Sequence, residues 1–266
     1  MQTGYEEELN RVREYFRIAS SELKTKNRFS NEKLDKVVRS LVNEKLNNEP
    51  LRKGSILYRA RKYTEADAGN RFLYHSADVF QGYDEKGSFV NKAAPNEGRC
   101  NPQFIPYLYA CNAPSCCISE IRPRIGEYIS VAEIKITYPL NILSLATDCI
   151  LSCGEPSLIP PIPDSTVILF LTDIFSKPYE ENGDYLMTQY LAEKIKNEGY
   201  DGISFYSSVC ADADRTNFTI FNYENCKPTS SKLCKIENVS VSYTFDPSEQ
   251  KRTEEPLSEE LLAKCF

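Results

Sequence analysis

One histidine, no tryptophan and two methionines occur in a chain of 266 residues. A Ser-His-Asp or Cys-His nucleophilic site would have to be built on His75 alone, and metal motifs that need two histidines cannot exist. No G-x-x-x-x-G-K-[ST] loop is present, which removes the P-loop NTPases, and no G-x-G-x-x-G fingerprint supports a Rossmann dinucleotide site. No apolar run approaches the ~20 residues needed to span a bilayer. The opening segment MQTGYEEELNRVREYF has no apolar core of the signal-peptide kind. Positive charge is also in deficit: the formal net charge is −6, which speaks against coating nucleic acid but leaves room for a local basic pocket. These absences predict a cytoplasmic protein with neither membrane nor nucleic acid as partner.

Cysteine is abundant, with ten in the chain. Their spacing is irregular and contains no C-x-x-C. The adjacent Cys116-Cys117 pair is a poor disulfide candidate, and with one histidine a zinc site, or any other metal site, is not expected. Reduced, mostly buried thiols are the natural reading. Apolar residues at 41% and charged residues at 26% are ordinary for a globular chain. The length allows one large domain with an extension.

Along the chain, Leu9, Val12, Phe16, Ala19 and Leu23 recur at helical spacing and predict a helix over 5–24. Leu34, Val37, Val38, Leu41 and Val42 predict a second over 31–46, with Ser30 as N-cap. The segment NNEPLRKG then marks a boundary, so residues 1–52 read as a helical hairpin. Strands are expected at 55–63, 105–111, 128–136, 140–145, 201–208, 217–222 and 239–245. Helices are expected at 112–122, with Asn112 as cap and Pro114 in the first turn, at 165–175, and at 185–197, ended by Gly199. Loops are expected over most of 69–98 and over 149–163. Residues 247–266 read as a charged tail. The whole is an α+β chain.

Four segments could carry chemistry. In Leu57-Tyr58-Arg59-Ala60-Arg61, an arginine on a buriable strand needs an anionic partner. That partner is either an internal carboxylate or a phosphate gripped through two parallel hydrogen bonds. In GRCNPQFIPYLYAC, Gly98 and Asn101-Pro102 shape a turn with Arg99 at its mouth, and Tyr109 lies near the strand end. In SCCISEIRP, Glu120 shares a helix face with Cys116 and Cys117, so its carboxylate would be half-hidden and would have to be paired. In GYDGISFYSS, Ser207 and Ser208 end a strand. They serve either as turn residues or as hydroxyls facing a pocket, and Asn217-Phe218-Thr219-Ile220-Phe221 follows.

In this order the segments resemble the RES domain family, named for an arginine, a glutamate and a serine. The correspondence runs through Arg59, Gly98-Arg99-Cys100-Asn101-Pro102, Ile105-Pro106-Tyr107-Leu108-Tyr109, Ser119-Glu120-Ile121-Arg122, Thr188-Gln189-Tyr190-Leu191-Ala192, Asp201-Gly202-Ile203-Ser204-Phe205-Tyr206-Ser207 and Asn217 to Phe221. Cys100 stands where the pattern has an aromatic, which predicts a reshaped pocket wall. The resemblance implies an ADP-ribosyltransferase-like mixed-sheet core over 53–246 with an N-terminal helical extension. It implies NAD as substrate, cleaved at the nicotinamide–ribose bond with phosphate or water as acceptor. Arg59, Glu120 and Ser207 would be the catalytic residues, and Arg99, Tyr109 and Asn217 would contact NAD. Members described as bacterial toxins pair with a separate antitoxin, so a toxin role and an antitoxin partner follow as expectations, with a homodimer as a further one. Two alternatives stay open: ADP-ribosyl transfer to a protein or nucleic acid, and a decayed NAD-binding interaction module.

Overall fold

The computed structural model describes residues 2–43, 50–64, 79–92, 96–146, 164–176, 185–212 and 215–240. The expected loop at 149–163, the tail at 247–266 and His75 lie outside them, as does most of the strand expected at 239–245. Contacts divide the chain into residues 1–236 and 237–266, and the description concerns the first unit. Its elements are α1 (Gln2–Thr25), α2 (Glu32–Asn43), β1 (Ile56–Tyr63), β2 (Leu108–Cys111), α3 (Pro114–Glu120), β3 (Tyr128–Ile136), β4 (Ile142–Ser144), α4 (Asp164–Ser176), α5 (Leu186–Asn197), β5 (Gly202–Tyr206), β6 (Thr216–Ile220) and β7 (Cys226–Lys235). The chain is therefore α+β.

One seven-stranded sheet runs in the order β4-β5-β6-β2-β1-β3-β7. Only β4 and β5 pair in parallel, and every other neighbour is antiparallel. The apolar stripes of the first two helices turn inward, with Leu9 and Val42 at their ends only half-buried. Val12, Phe16, Ala19 and Leu23 of α1 and Leu34, Val37, Val38 and Leu41 of α2 join Val167, Leu171 and Phe175 of α4, Leu191 and Ile195 of α5, and Leu143, Ile203 and Phe205 of the sheet in one cluster. Amphipathic helices gain their stability from such burial rather than from propensity. A second cluster gathers Leu57, Leu108, Ile134, Ile136, Leu140 and Ile220. A third holds Ala60, Ile129 and four buried cysteines, Cys111, Cys116, Cys117 and Cys210.

Several local expectations change. Asn31, not Ser30, caps α2: its Oδ1 accepts from Leu34 N at 3.1 Å. Asn112 does not cap α3, because its Oδ1 accepts instead from Thr216 N at 2.9 Å and ties the end of β2 to β6. The strand expected from 105 begins at Leu108, since Pro106 has no N–H to give a ladder. Strand β7 was not foreseen. CKPTSSKLCK has no alternation and contains Pro228, yet it lies at the sheet edge and pairs along the whole of β3 with a register shift at Glu133/Ile134. Edge positions and bulges are where a strand tolerates proline. No helix among the described residues is long and apolar enough to cross a membrane.

Candidate active site

Where β1, β2 and β6 meet the end of α3 there is a cavity of roughly 370 Å³, lined by Arg59, Arg99, Tyr109, Glu120, Phe205 and Asn217 among others. Strand geometry delivers most of these groups. Arg59 stands at the middle of β1, opposite Ala132 of β3, Tyr109 is on β2 and Asn217 on β6, with Cys111 paired to Asn217. Five of the six residues expected to form the site therefore face one cavity. The sixth, Ser207, reaches it through Glu120.

Glu120 is the last residue of α3. It is half-buried, because the same helix face inserts Cys116 and Cys117, which are 0% and 4% exposed. Its Oε1 accepts from Ser207 Oγ at 2.7 Å and from Asn217 Nδ2 at 2.6 Å. Both donors converge on one oxygen, and Oε2 carries no hydrogen bond among the described residues. The carboxylate is thus pinned on one side and free on the other. Asn217 is held in turn: its Oδ1 accepts from the thiols of Cys111 at 3.0 Å and Cys116 at 3.5 Å, which orients the amide with its nitrogen toward Glu120.

Ser207 is 3% exposed. Besides donating to Glu120, its Oγ accepts from Val209 N at 3.2 Å and Cys210 N at 3.1 Å. The hydroxyl is fully occupied, so it orients Glu120 rather than presenting itself to a ligand. Ser208 is exposed and donates to Ser176 O at 3.0 Å, outside this network.

The two arginines supply the opposite charge. Arg59 makes one weak bond, Nη1 to Tyr109 O at 3.4 Å, and its Nε is buried without a partner. No carboxylate pairs with it among the described residues, so none of these supplies the internal salt bridge that burial would ordinarily demand. Burial, with Arg61 adding repulsion, pushes its pKa down to about 10; it remains a cation at neutral pH, held where charge is costly. Arg99 Nη1 donates to Phe175 O in the last turn of α4, where helix carbonyls concentrate negative potential. Its guanidinium lies 6.0 Å from the centre of the Phe205 ring, and its Nε also is buried and unpartnered. Two arginines and one carboxylate line the same cavity, and among the described residues neither arginine pairs with a carboxylate.

Tyr109 lines the cavity but uses its hydroxyl elsewhere. It donates to Asn101 Oδ1 at 2.7 Å and accepts from Cys100 N at 3.0 Å. Burial holds its pKa well above the usual phenol range. Cys100 does not shape the wall: it is 0% exposed and sits in the apolar cluster behind the cavity, its thiol pushed up to about 11 by burial. Among the described residues no group of His, Cys, Asp or Glu could hold a metal.

In the sequence, Thr188 and Gln189 figure only as part of a family pattern, and the structure gives both a role. Thr188 Oγ1 donates to Arg99 O at 2.6 Å, and Gln189 Nε2 donates to Gly98 O and Asn101 O, each at 3.0 Å. A signal was available. Thr188 lies on the helix face of Leu191 and Ile195, both 1% exposed, and a hydroxyl on a buried stripe requires a partner.

Residues 59–243, more than half of the chain, match the RES domain family. The chain belongs to that family. The match begins on Arg59 and spans every residue of the cavity network described above. RES toxins process NAD, and membership supports an NAD-cleaving activity for this RES chain in general terms. Among solved structures, a chain of the "Crystal structure of the M.tuberculosis MbcT-MbcA toxin-antitoxin complex" is 15% identical, with 77% of this chain and 93% of that chain covered and a TM-score of 0.42. No curated protein matches the RES chain by sequence.

Proposed function

We propose that this RES protein breaks the nicotinamide–ribose bond of NAD and passes the ADP-ribosyl group to phosphate or water. The observation that carries the reading is a pinned carboxylate, Glu120, in the same cavity as two half-buried arginines whose Nε atoms are buried and which pair with no carboxylate among the described residues. In this reading Arg59 and Arg99 grip the pyrophosphate, which matches guanidinium geometry. Cleavage takes the bonding pair to the nicotinamide nitrogen, which becomes neutral, and leaves positive charge on the ribose. The free Oε2 of Glu120 stabilises that charge or anchors a ribose hydroxyl. Ser207 and Asn217 hold Oε1 so that the carboxylate need not reorganise as charge develops. Tyr109 forms a wall. Phosphate or water then bonds to the anomeric carbon. No step calls for a histidine.

The biological role follows as part of the same proposal: a toxin that drains NAD and is restrained by a separate antitoxin. Residues 1–52 form its helical extension, 53–246 the RES body and 247–266 a tail. The experiment is to incubate purified protein with NAD, with and without phosphate, and follow nicotinamide and the ribosyl product. With water as acceptor nicotinamide and ADP-ribose should appear in both; with phosphate as acceptor nicotinamide should appear only when phosphate is present, together with ADP-ribose 1″-phosphate. Glu120→Gln should reduce release at least about 100-fold. Wild-type protein that leaves NAD intact would sink the proposal, and ADP-ribose found on a macromolecule would redirect it to transfer.

A further inference from the structure

Arg99 is carried by the turn 98–102, which belongs to no helix or strand. An arginine on free-standing backbone would lose much of its binding free energy to ordering. Here the turn is braced from two sides. On one side, the first turn of α5 fixes three of its carbonyls: Thr188 Oγ1 bonds Arg99 O at 2.6 Å, while the Gln189 amide spans Gly98 O and Asn101 O at 3.0 Å each. On the other, Tyr109 holds Cys100 N and Asn101 Oδ1. The fit leaves no slack at Gly98, where an added Cβ would come within 2.5 Å of Asn101 Oδ1 and 2.6 Å of Tyr109 Oη. Among the described residues the Arg99 side chain hydrogen-bonds only Phe175 O and lies over the Phe205 ring, with Nε unpartnered. Neither Thr188 nor Gln189 lines the cavity.

The geometry points to Thr188 and Gln189 as positioning residues that set the Arg99 guanidinium for a pyrophosphate-bearing ligand. This rests on the proposed function and adds to it which residues make the anion grip rigid. Both act through the backbone of 98–101, so their effect belongs to binding of the anionic part of the substrate and requires Arg99 to be present. A merely structural role would lower stability and leave affinity unchanged once the protein is folded.

The test uses the full chain and inorganic pyrophosphate as probe, with affinity measured by calorimetry and NAD turnover measured separately. Gln189→Met keeps length and removes both donors; Thr188→Val keeps shape and removes the hydroxyl; Thr188→Ser restores it. Expected are a pyrophosphate Kd about 10-fold weaker in Gln189→Met and Thr188→Val, recovered in Thr188→Ser, a KM for NAD raised in step with kcat changed less than about 3-fold, and faster amide exchange confined to 98–101. In an Arg99→Met background the same substitutions should change Kd by less than about 2-fold, because their target is gone. Equal losses with and without Arg99, unchanged Kd in both folded variants, or wild-type protein that does not bind pyrophosphate would each overturn the inference. If Gln189→Met fails to fold, Thr188→Val and its serine rescue decide. Wild-type protein that binds pyrophosphate but releases no nicotinamide would sink the NAD reading and leave this inference standing.

Discussion

Arg59 is the residue that most clearly sets function against stability. It is half-buried, its Nε is buried with no partner among the described residues, and burial lowers its pKa to about 10. Because the folded-state value lies below the unfolded one, the unfolded chain holds its proton more tightly as pH rises above about 10. Stability from this group therefore rises with pH across that window, and its full cost applies at every pH below it. Removing the charge should relieve that cost. Arg59→Met is expected to abolish NAD cleavage while raising Tm, since a partly desolvated charge without a counter-charge costs folding free energy; calorimetry beside nicotinamide release checks both. A fall in Tm would mean that Arg59 has a structural anion inside the protein. Ser207 works in the other sense. Ser207→Ala takes one donor from Glu120 and leaves Val209 N and Cys210 N without their acceptor. Activity should drop about 10–100-fold and unfolding in denaturant should show a loss of about 1–3 kcal/mol. Ser208→Ala, outside the network, should change turnover less than about 2-fold.

At the scale of elements, the N-terminal hairpin and α5 are joined by a polar clasp within an apolar packing. Tyr190 accepts from Asn31 N at 2.8 Å and donates to Asp35 Oδ1 at 2.6 Å, and Lys194 lies 3.1 Å from the same Asp35 oxygen. Tyr190→Phe deletes the first two bonds and leaves a buried N–H orphaned, so a loss of about 1–3 kcal/mol is expected in equilibrium unfolding. Deleting residues 1–52 should be far worse: Phe16, Leu23, Leu34 and Leu41, all at most 1% exposed, would leave their partners on α4 and α5 bare. A soluble, active fragment starting near Lys53 would show that the body closes its core without the hairpin. Elements with a strong period are legible in the sequence: the α1 and α2 stripes, the alternation of β3, and the Gly199 stop, where φ is +90°. Elements held by their neighbours were not. β7 exists because the backbone of β3 offers it a ladder, and no residue of CKPTSSKLCK announces that.

Across the whole molecule, charge is divided against itself. The chain carries −6 in formal charge, yet its cavity gathers two arginines that no carboxylate pairs among the described residues against one glutamate. Ligand binding should therefore appear as stabilisation. In a Glu120→Gln variant that binds without turnover, NAD at 100 times its Kd should add about 2.7 kcal/mol and raise Tm accordingly. Arg99→Met introduced alongside should remove most of that rise, and a rise unaffected by Arg99 would place the pyrophosphate elsewhere.

What the sequence determined by itself was the inventory and its order. One histidine and no phosphate-loop motif ruled out whole classes of chemistry, helical period placed the hairpin, and the spaced motifs from Arg59 to Phe221 carried the family. What the tertiary structure decided was partnership. Hydrogen bonds join residues such as Glu120 and Ser207, 87 positions apart, and Gln189 and Gly98, 91 apart; distance along a chain bears no relation to distance across a sheet whose neighbours are set by topology. That Ser207 turns toward Glu120 and Ser208 away, and that Tyr109 braces a turn, depend on where other strands put their donors and acceptors.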